Sequence, residues 1–198
     1  YPVYAAPTPH PSDWVERKVA EELAAKGLAA DRDFMLLLVA ATMALRDAFP
    51  DGEVPARTAL VIGHENLGVN RLIDEILTTS SSAGGAFGTR SGVDEAHYDP
   101  LQEYEKYRDR LQTFPHLFEL ARCLGLRGMT YTINNACATG LYALDLAARL
   151  VRAQEAEAVV VVCADYAHYT EHSWLADKGF SSDQAWLRPF DRERDGSV

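Results

Sequence analysis

Cysteine is scarce in this chain: Cys123, Cys137 and Cys163 are the only three in 198 residues, and no two stand in a C-x-x-C spacing. An odd, sparse set builds no disulfide framework and points to a reducing cytoplasm. Positive charge is short as well. Nineteen Lys and Arg face 29 Asp and Glu, for a net charge of −10 and a pI near 5.0. So acidic a surface argues against nucleic acid as the main partner, while a local basic patch for an acidic carrier protein or a phosphate stays open. No apolar run reaches the length of a membrane span. The proline-rich start, Tyr1 to Ser12, has no charged-then-apolar signal pattern.

Apolar residues are plentiful, at 47%. That is enough for a packed core, and 198 residues suit one domain or a large part of one. Residues 1–11 read as an extended arm. Ser12 is placed to cap a helix with Val15, Val19 and Leu23 on one face, ended by Gly27. Asp31 or Asp33 opens a second helix through Phe49, apolar on nearly all sides between Phe34 and Leu45 and therefore expected to be buried. Pro50-Asp51-Gly52 is a turn, and Thr58 to Gly63 suits a buried strand. Asn70 to Thr79 and Leu101 to Leu111 read as helices. Between them, Ser80 to Gly92 is rich in Ser and Gly, which makes 80–100 a flexible loop; its glycines match neither a dinucleotide nor a P-loop pattern.

The second half is more regular. Pro115 starts a helix ending near Gly125, Met129 to Asn134 is strand-like, and Ala138 to Arg152 is helical. Ala158 to Ala164 contains Val159 to Val162, a pattern for a strand buried on both faces. Strand, helix, strand at this spacing predicts a right-handed βαβ unit in a largely parallel sheet. An open α/β sheet binds ligands beyond the carboxyl ends of its strands, and Cys137 falls there, between a strand and a long helix. Unpaired N–H groups and the helix dipole favour a thiolate at such a place, and a thiolate is a nucleophile suited to acyl transfer through a thioester. A cysteine that merely fills space at a helix start is the alternative.

Three ordered motifs sharpen that reading. Asn135-Ala136-Cys137-Ala138-Thr139-Gly140, with its following Ala/Leu-rich helix and Val-rich strand, resembles the nucleophile region of β-ketoacyl synthases. Leu187-Arg188-Pro189-Phe190-Asp191-Arg192-Glu193-Arg194-Asp195-Gly196 resembles the Arg-Pro-Phe-Asp…Arg-Asp-Gly segment of the same family, and Leu124-Gly125-Leu126-Arg127-Gly128 its Leu-Gly-Leu-x-Gly turn. The resemblance is good from about Pro115 to Val198, looser over Asp31 to Gly68, and weak elsewhere. It implies a thiolase-like layered α/β fold, a mostly parallel buried sheet with covering helices, usually dimeric, of which residues 1–198 are the N-terminal, nucleophile-bearing half. It implies that Cys137 accepts an acyl group from a carrier-protein thioester and that its backbone N–H is an oxyanion-hole donor. It implies condensation with a decarboxylating malonyl unit in fatty-acid or polyketide synthesis. The partners are then an acyl carrier protein with phosphopantetheine-linked acyl and malonyl groups, the remaining half of the synthase, and a second subunit in a homo- or heterodimer. The family's catalytic histidines and lysine belong to that remaining half. No cofactor and no metal is expected. The alternative is a non-catalytic, chain-length-factor-type subunit of a heterodimer, against which the retained Cys137 counts.

Other candidates are weaker. His168-Tyr169-Thr170-Glu171-His172 matches H-x-x-E-H, a zinc-peptidase pattern, but directly follows the Val-rich strand with few residues left for a third ligand. A chance match is the better reading. His64, at a strand's carboxyl end, could line a pocket, although a hydrogen-bonded structural role fits better. His97 and His116 have no sequence partner. Cys163 within the Val-rich strand and Cys123 on an apolar helix face read as inert core thiols. The charges from Asp191 to Asp195 read as a salt-bridged turn. Asn134 and Asn135 could bond neighbouring backbone or face a partner, and Met129 to Asn134 is the interface candidate.

Overall fold

Thr58–Gly63 form β1, whose six residues are all buried. Among the described residues the strand is the middle of a three-stranded parallel sheet, with β2 (Thr130–Ile133) on one side and β3 (Ala158–Cys163) on the other. The computed structural model describes residues 7–64, 67–69, 112–164, 174–180, 188, 190–194 and 196. These belong to two compact units, Thr8–Asp165 and the pair of segments Tyr1–Pro7 and Tyr166–Val198. Expectations for residues 1–6, the helices at 70–79 and 101–111, the loop over 80–100, His97, and the His168 to His172 motif lie outside the described residues.

Helices cover both faces of the sheet in the larger unit. On one side lie α1 (Arg17–Ala25), α2 (Arg32–Ala48) and α3 (Phe114–Cys123). Their Leu23, Phe34, Leu38 and Leu120 pack with Leu60, Ile62, Val160 and Val162. On the other, α4 (Thr139–Arg152) sets Ala143 and Leu150 against Ala59 and Val61. Alternate residues of β1 thus feed two separate cores, as a period-two strand must. Each buried Leu or Val contributes about 1.5–3 kcal/mol. Among the described residues no helix is long and apolar enough to cross a membrane.

Local chemistry explains the boundaries. Asp31 caps α2, its Oδ1 accepting the Phe34 N–H at 3.0 Å. Gly27 closes α1 at φ 71°. Gly125, at φ 68°, turns the chain out of α3, and Gly128 then passes against β1, where an added Cβ would overlap the Thr58 carbonyl. The Leu-Gly-Leu-x-Gly motif is therefore a helix stop followed by a close backbone approach.

Three expectations need correction. Ser12 caps no helix: it lies in a 3-10 turn, Pro11–Asp13, and its N–H bonds the His10 ring, while α1 starts after Glu16 with no side-chain cap. α2 is not apolar-buried all round, since Met43 is exposed on its outer face. β3 is only half-buried at Val159 and Val161 because, among the described residues, it is an outer strand. As expected of a βαβ unit, β2 and β3 run parallel and are joined through α4; β1 stands between them, so the crossover spans a strand.

In the smaller unit, residues 174–177 make a helical turn closed by Gly179 at φ 74°. Asp191 forms a tight turn, its Oδ1 accepting the Glu193 N–H at 2.8 Å, with Arg188 paired to Glu193 at 3.8 Å. This is the salt-bridged turn expected of the Arg-Pro-Phe-Asp segment.

Candidate active site

The carboxyl ends of all three strands meet at Gly63. In register it stands beside Ile133 of β2 and Cys163 of β3, and the His64 N–H donates to the Ile133 carbonyl at 3.2 Å. From Ile133 the chain passes through Asn134 and Asn135 into a 3-10 turn, Ala136–Ala138, and then into α4. Cys137 is the middle residue of that turn. It is exposed, and like the other two cysteines it is free.

The turn is sharp. Ala136 has φ 47°, a left-handed conformation that costs a non-glycine residue roughly 1–2 kcal/mol. Side chains on either side hold it there. Asn134 Oδ1 accepts the Ala136 N–H at 3.2 Å. Thr139 Oγ1 accepts the Asn135 N–H at 2.7 Å and donates to the Ala136 carbonyl, also at 2.7 Å. The Ala138 N–H donates to the Asn135 carbonyl at 3.1 Å. The Cys137 N–H is not among these engaged donors. An exposed thiol beside an amide that makes no hydrogen bond among the described residues, at the carboxyl end of a parallel strand, can attack a carbonyl and hold the resulting oxyanion.

Gly63 makes room for this turn. A Cβ there would lie 2.5 Å from Cys163 Sγ and 2.9 Å from Thr139 Cγ2. Cys163 is the last residue of β3 and exposed, not the core thiol expected from its Val-rich neighbours. Its packing still desolvates it enough to raise its pKa, against a lowering hydrogen bond from the Gly63 backbone. Cys123 does fit the core reading: it is partly buried on α3, and desolvation pushes its thiol up to about 11.

Among the described residues, neither His64 nor His116 converges on Cys137. His64 is buried with Nε2 3.4 Å from Asp33 Oδ2 in the first turn of α2, on the face of the sheet opposite α4. His116 of α3 is buried with Nε2 3.0 Å from Asp31 Oδ2, and its ring meets Phe34 edge-on. Both are structural couples: His64 ties the end of β1 to α2, and His116 ties α3 to the start of α2. Sequence reasoning saw neither carboxylate partner, because His64 and His116 are far from Asp33 and Asp31 along the chain. It also passed over Thr139 and Gly63; a Thr at the start of a helix was the available signal.

A family model described as the N-terminal domain of beta-ketoacyl synthase matches residues 22–198. No curated protein matches the chain. The match covers most of the sequence and includes the strand, turn and helix that present Cys137. The chain belongs to the β-ketoacyl synthase family, the condensing enzymes of fatty-acid and polyketide synthesis, and carries that family's N-terminal domain.

Proposed function

We propose that Cys137 is the acyl-accepting nucleophile of a β-ketoacyl synthase, supplied by the phosphopantetheine thioester of an acyl carrier protein. One observation carries the reading: an exposed thiol on a left-handed turn at the end of β2, its own N–H making no hydrogen bond among the described residues. The sulfur adds to the thioester carbonyl, and the Cys137 N–H donates to the oxyanion that forms. Collapse breaks the carrier's C–S bond, releases the carrier thiol and leaves the acyl group on Cys137. A malonyl thioester then loses carbon dioxide. Its α-carbon bonds to the acyl carbonyl carbon, and the Cys137 thiolate departs.

The second half of this chemistry needs donors at the malonyl carbonyl as negative charge moves onto it. His64 and His116 are committed to Asp33 and Asp31 away from the turn. We assign those donors to a complementary domain, and expect Cys137 to be acylated by this chain without condensation. Three free cysteines suit a reducing cytoplasm. The open outer edge of β2 among the described residues suits pairing with a second subunit. Exposure of Cys137 favours this reading over a pocket-shaping, non-catalytic subunit.

The test is adduct mapping. After incubation with an acyl-pantetheine thioester, mass spectrometry should place one acyl group on Cys137, and Cys137→Ala should remove it. An adduct confined to Cys123 or Cys163 sinks the assignment.

A further inference from the structure

Thr139 does more than begin α4. Its side chain is buried, with both ends in use. The hydroxyl accepts the Asn135 N–H at 2.7 Å and gives its single proton to the Ala136 carbonyl at 2.7 Å, so it grips the backbone on both sides of the left-handed Ala136. The methyl lies so close over Gly63 that an added Cβ would stand 2.9 Å from it. Contact with the end of β1 thus fixes the side chain, and the fixed hydroxyl fixes the turn. Only a residue with a hydroxyl on Cβ can accept from one of these groups and donate to the other at this distance from the backbone. Cys137 lies between the gripped segment and Thr139 itself, so its sulfur and its N–H are aimed by this clamp.

We propose that Thr139 is the positioning residue of the acyl-transfer step: it holds the left-handed turn so that the sulfur and the amide of Cys137 face one carbonyl at once. The inference rests on Cys137 being the nucleophile. A small misplacement of a reacting atom can cost about 100-fold in rate. Loss of the clamp should therefore appear in the acylation rate constant and not in substrate binding.

The experiment compares Thr139→Val with Thr139→Ser in the complete synthase, with hexanoyl-pantetheine as acyl donor and Cys137→Ala as the control. Valine keeps a methyl over Gly63 and removes both hydrogen bonds, whereas serine keeps both bonds and removes the methyl. We expect T139V to lower the rate constant for acylation roughly 10–100-fold with KM within about twofold, and T139S to stay within about threefold of the parent. Should T139V fail to fold, the same measurement is made on Ala136→Gly combined with T139V, because glycine enters the left-handed region without strain. The same rate loss is expected there. A parental rate in T139V, or equal losses in T139V and T139S, overturns the clamp while leaving Cys137 as the nucleophile. Acylation that survives in C137A overturns the nucleophile reading, and the clamp with it.

Discussion

Two thiols of the larger unit make a natural comparison. Cys123 and Cys137 share one chain, but the first is held partly buried on α3 with its pKa pushed to about 11 by desolvation, and the second stands exposed on its turn. At pH 8 roughly one Cys123 in a thousand is thiolate, the form that reacts. Iodoacetamide at pH 8 should therefore modify Cys137 and spare Cys123, and the Cys123 rate should climb about tenfold per pH unit until its pKa is reached. Peptide mapping across pH 7–10 checks this; early labelling of Cys123 would show that α3 opens readily. Glu119, also on α3, behaves in the opposite sense. Burial acts to raise its pKa, but hydrogen bonds from Lys26 and Arg122 outweigh burial and hold it below its ordinary 4.5. A carboxylate whose folded pKa is depressed stabilises the fold fully above its ordinary value, and that contribution disappears as pH falls through the lower folded value. Glu119→Gln should cost roughly 1–3 kcal/mol at pH 7 and flatten the acid side of the stability curve. Urea midpoints from pH 7 to pH 3 measure it, and a variant curve parallel to the parent's would contradict it.

Among elements, the link from α3 to β2 is the least forgiving. Gly128 runs against β1 where a methyl group would overlap the Thr58 carbonyl, and backbone cannot step aside as a flexible side chain does. Gly128→Ala should destabilise the domain by about 1–3 kcal/mol or more, read as a lower melting temperature. An unchanged melting temperature would mean that β1 and β2 slide apart freely. This link was half legible in advance. Gly125 and Gly128 announce a turn in any sequence, but which backbone Gly128 meets depends on β2 lying beside β1, a long-range fact that local pattern does not encode. The strand Thr58–Gly63 was readable to the residue because an apolar run bounded by Arg57 and His64 leaves little choice. The order β2-β1-β3 was not readable, since periodicity says which face is buried and nothing about neighbours. The same gap explains Cys163. Four valines mark a strand, yet they do not say that its last residue emerges at the edge of a site. Cys137 was legible because strand, turn and helix follow one another directly in sequence. The hydroxyl of Thr139 was not, because its two partners exist only once the 3-10 turn has formed.

At the scale of the molecule, α4 leaves an apolar surface uncovered. Leu141, Tyr142 and Leu144 are 74, 56 and 58% exposed, although the opposite face of the helix is packed on the sheet. Leucine-sized groups left in water each forgo about 1.5–3 kcal/mol, against a typical net stability of about 5–15 kcal/mol. We expect the 198-residue chain alone to associate, and light scattering after size exclusion to find species above 21.9 kDa. A cooperative, monodisperse monomer would refute this. Leu141→Lys together with Leu144→Lys should reduce the association without disturbing the packed face. The central place of β1 has one more consequence, in the time it takes to make the protein. Its register partners are Thr130 to Ile133 and Ala158 to Cys163, about 70 and 100 residues further along. At a synthesis rate of about 5–20 residues per second, β1 leaves the ribosome roughly 5–20 s before its second neighbour exists. Until β2 follows, about 4–14 s after β1 at that rate, a six-residue segment destined for complete burial has neither edge paired, and one edge then waits for β3. Slowing the ribosome between codons 64 and 158 should therefore lower the soluble yield of the protein while leaving the stability of the finished fold unchanged.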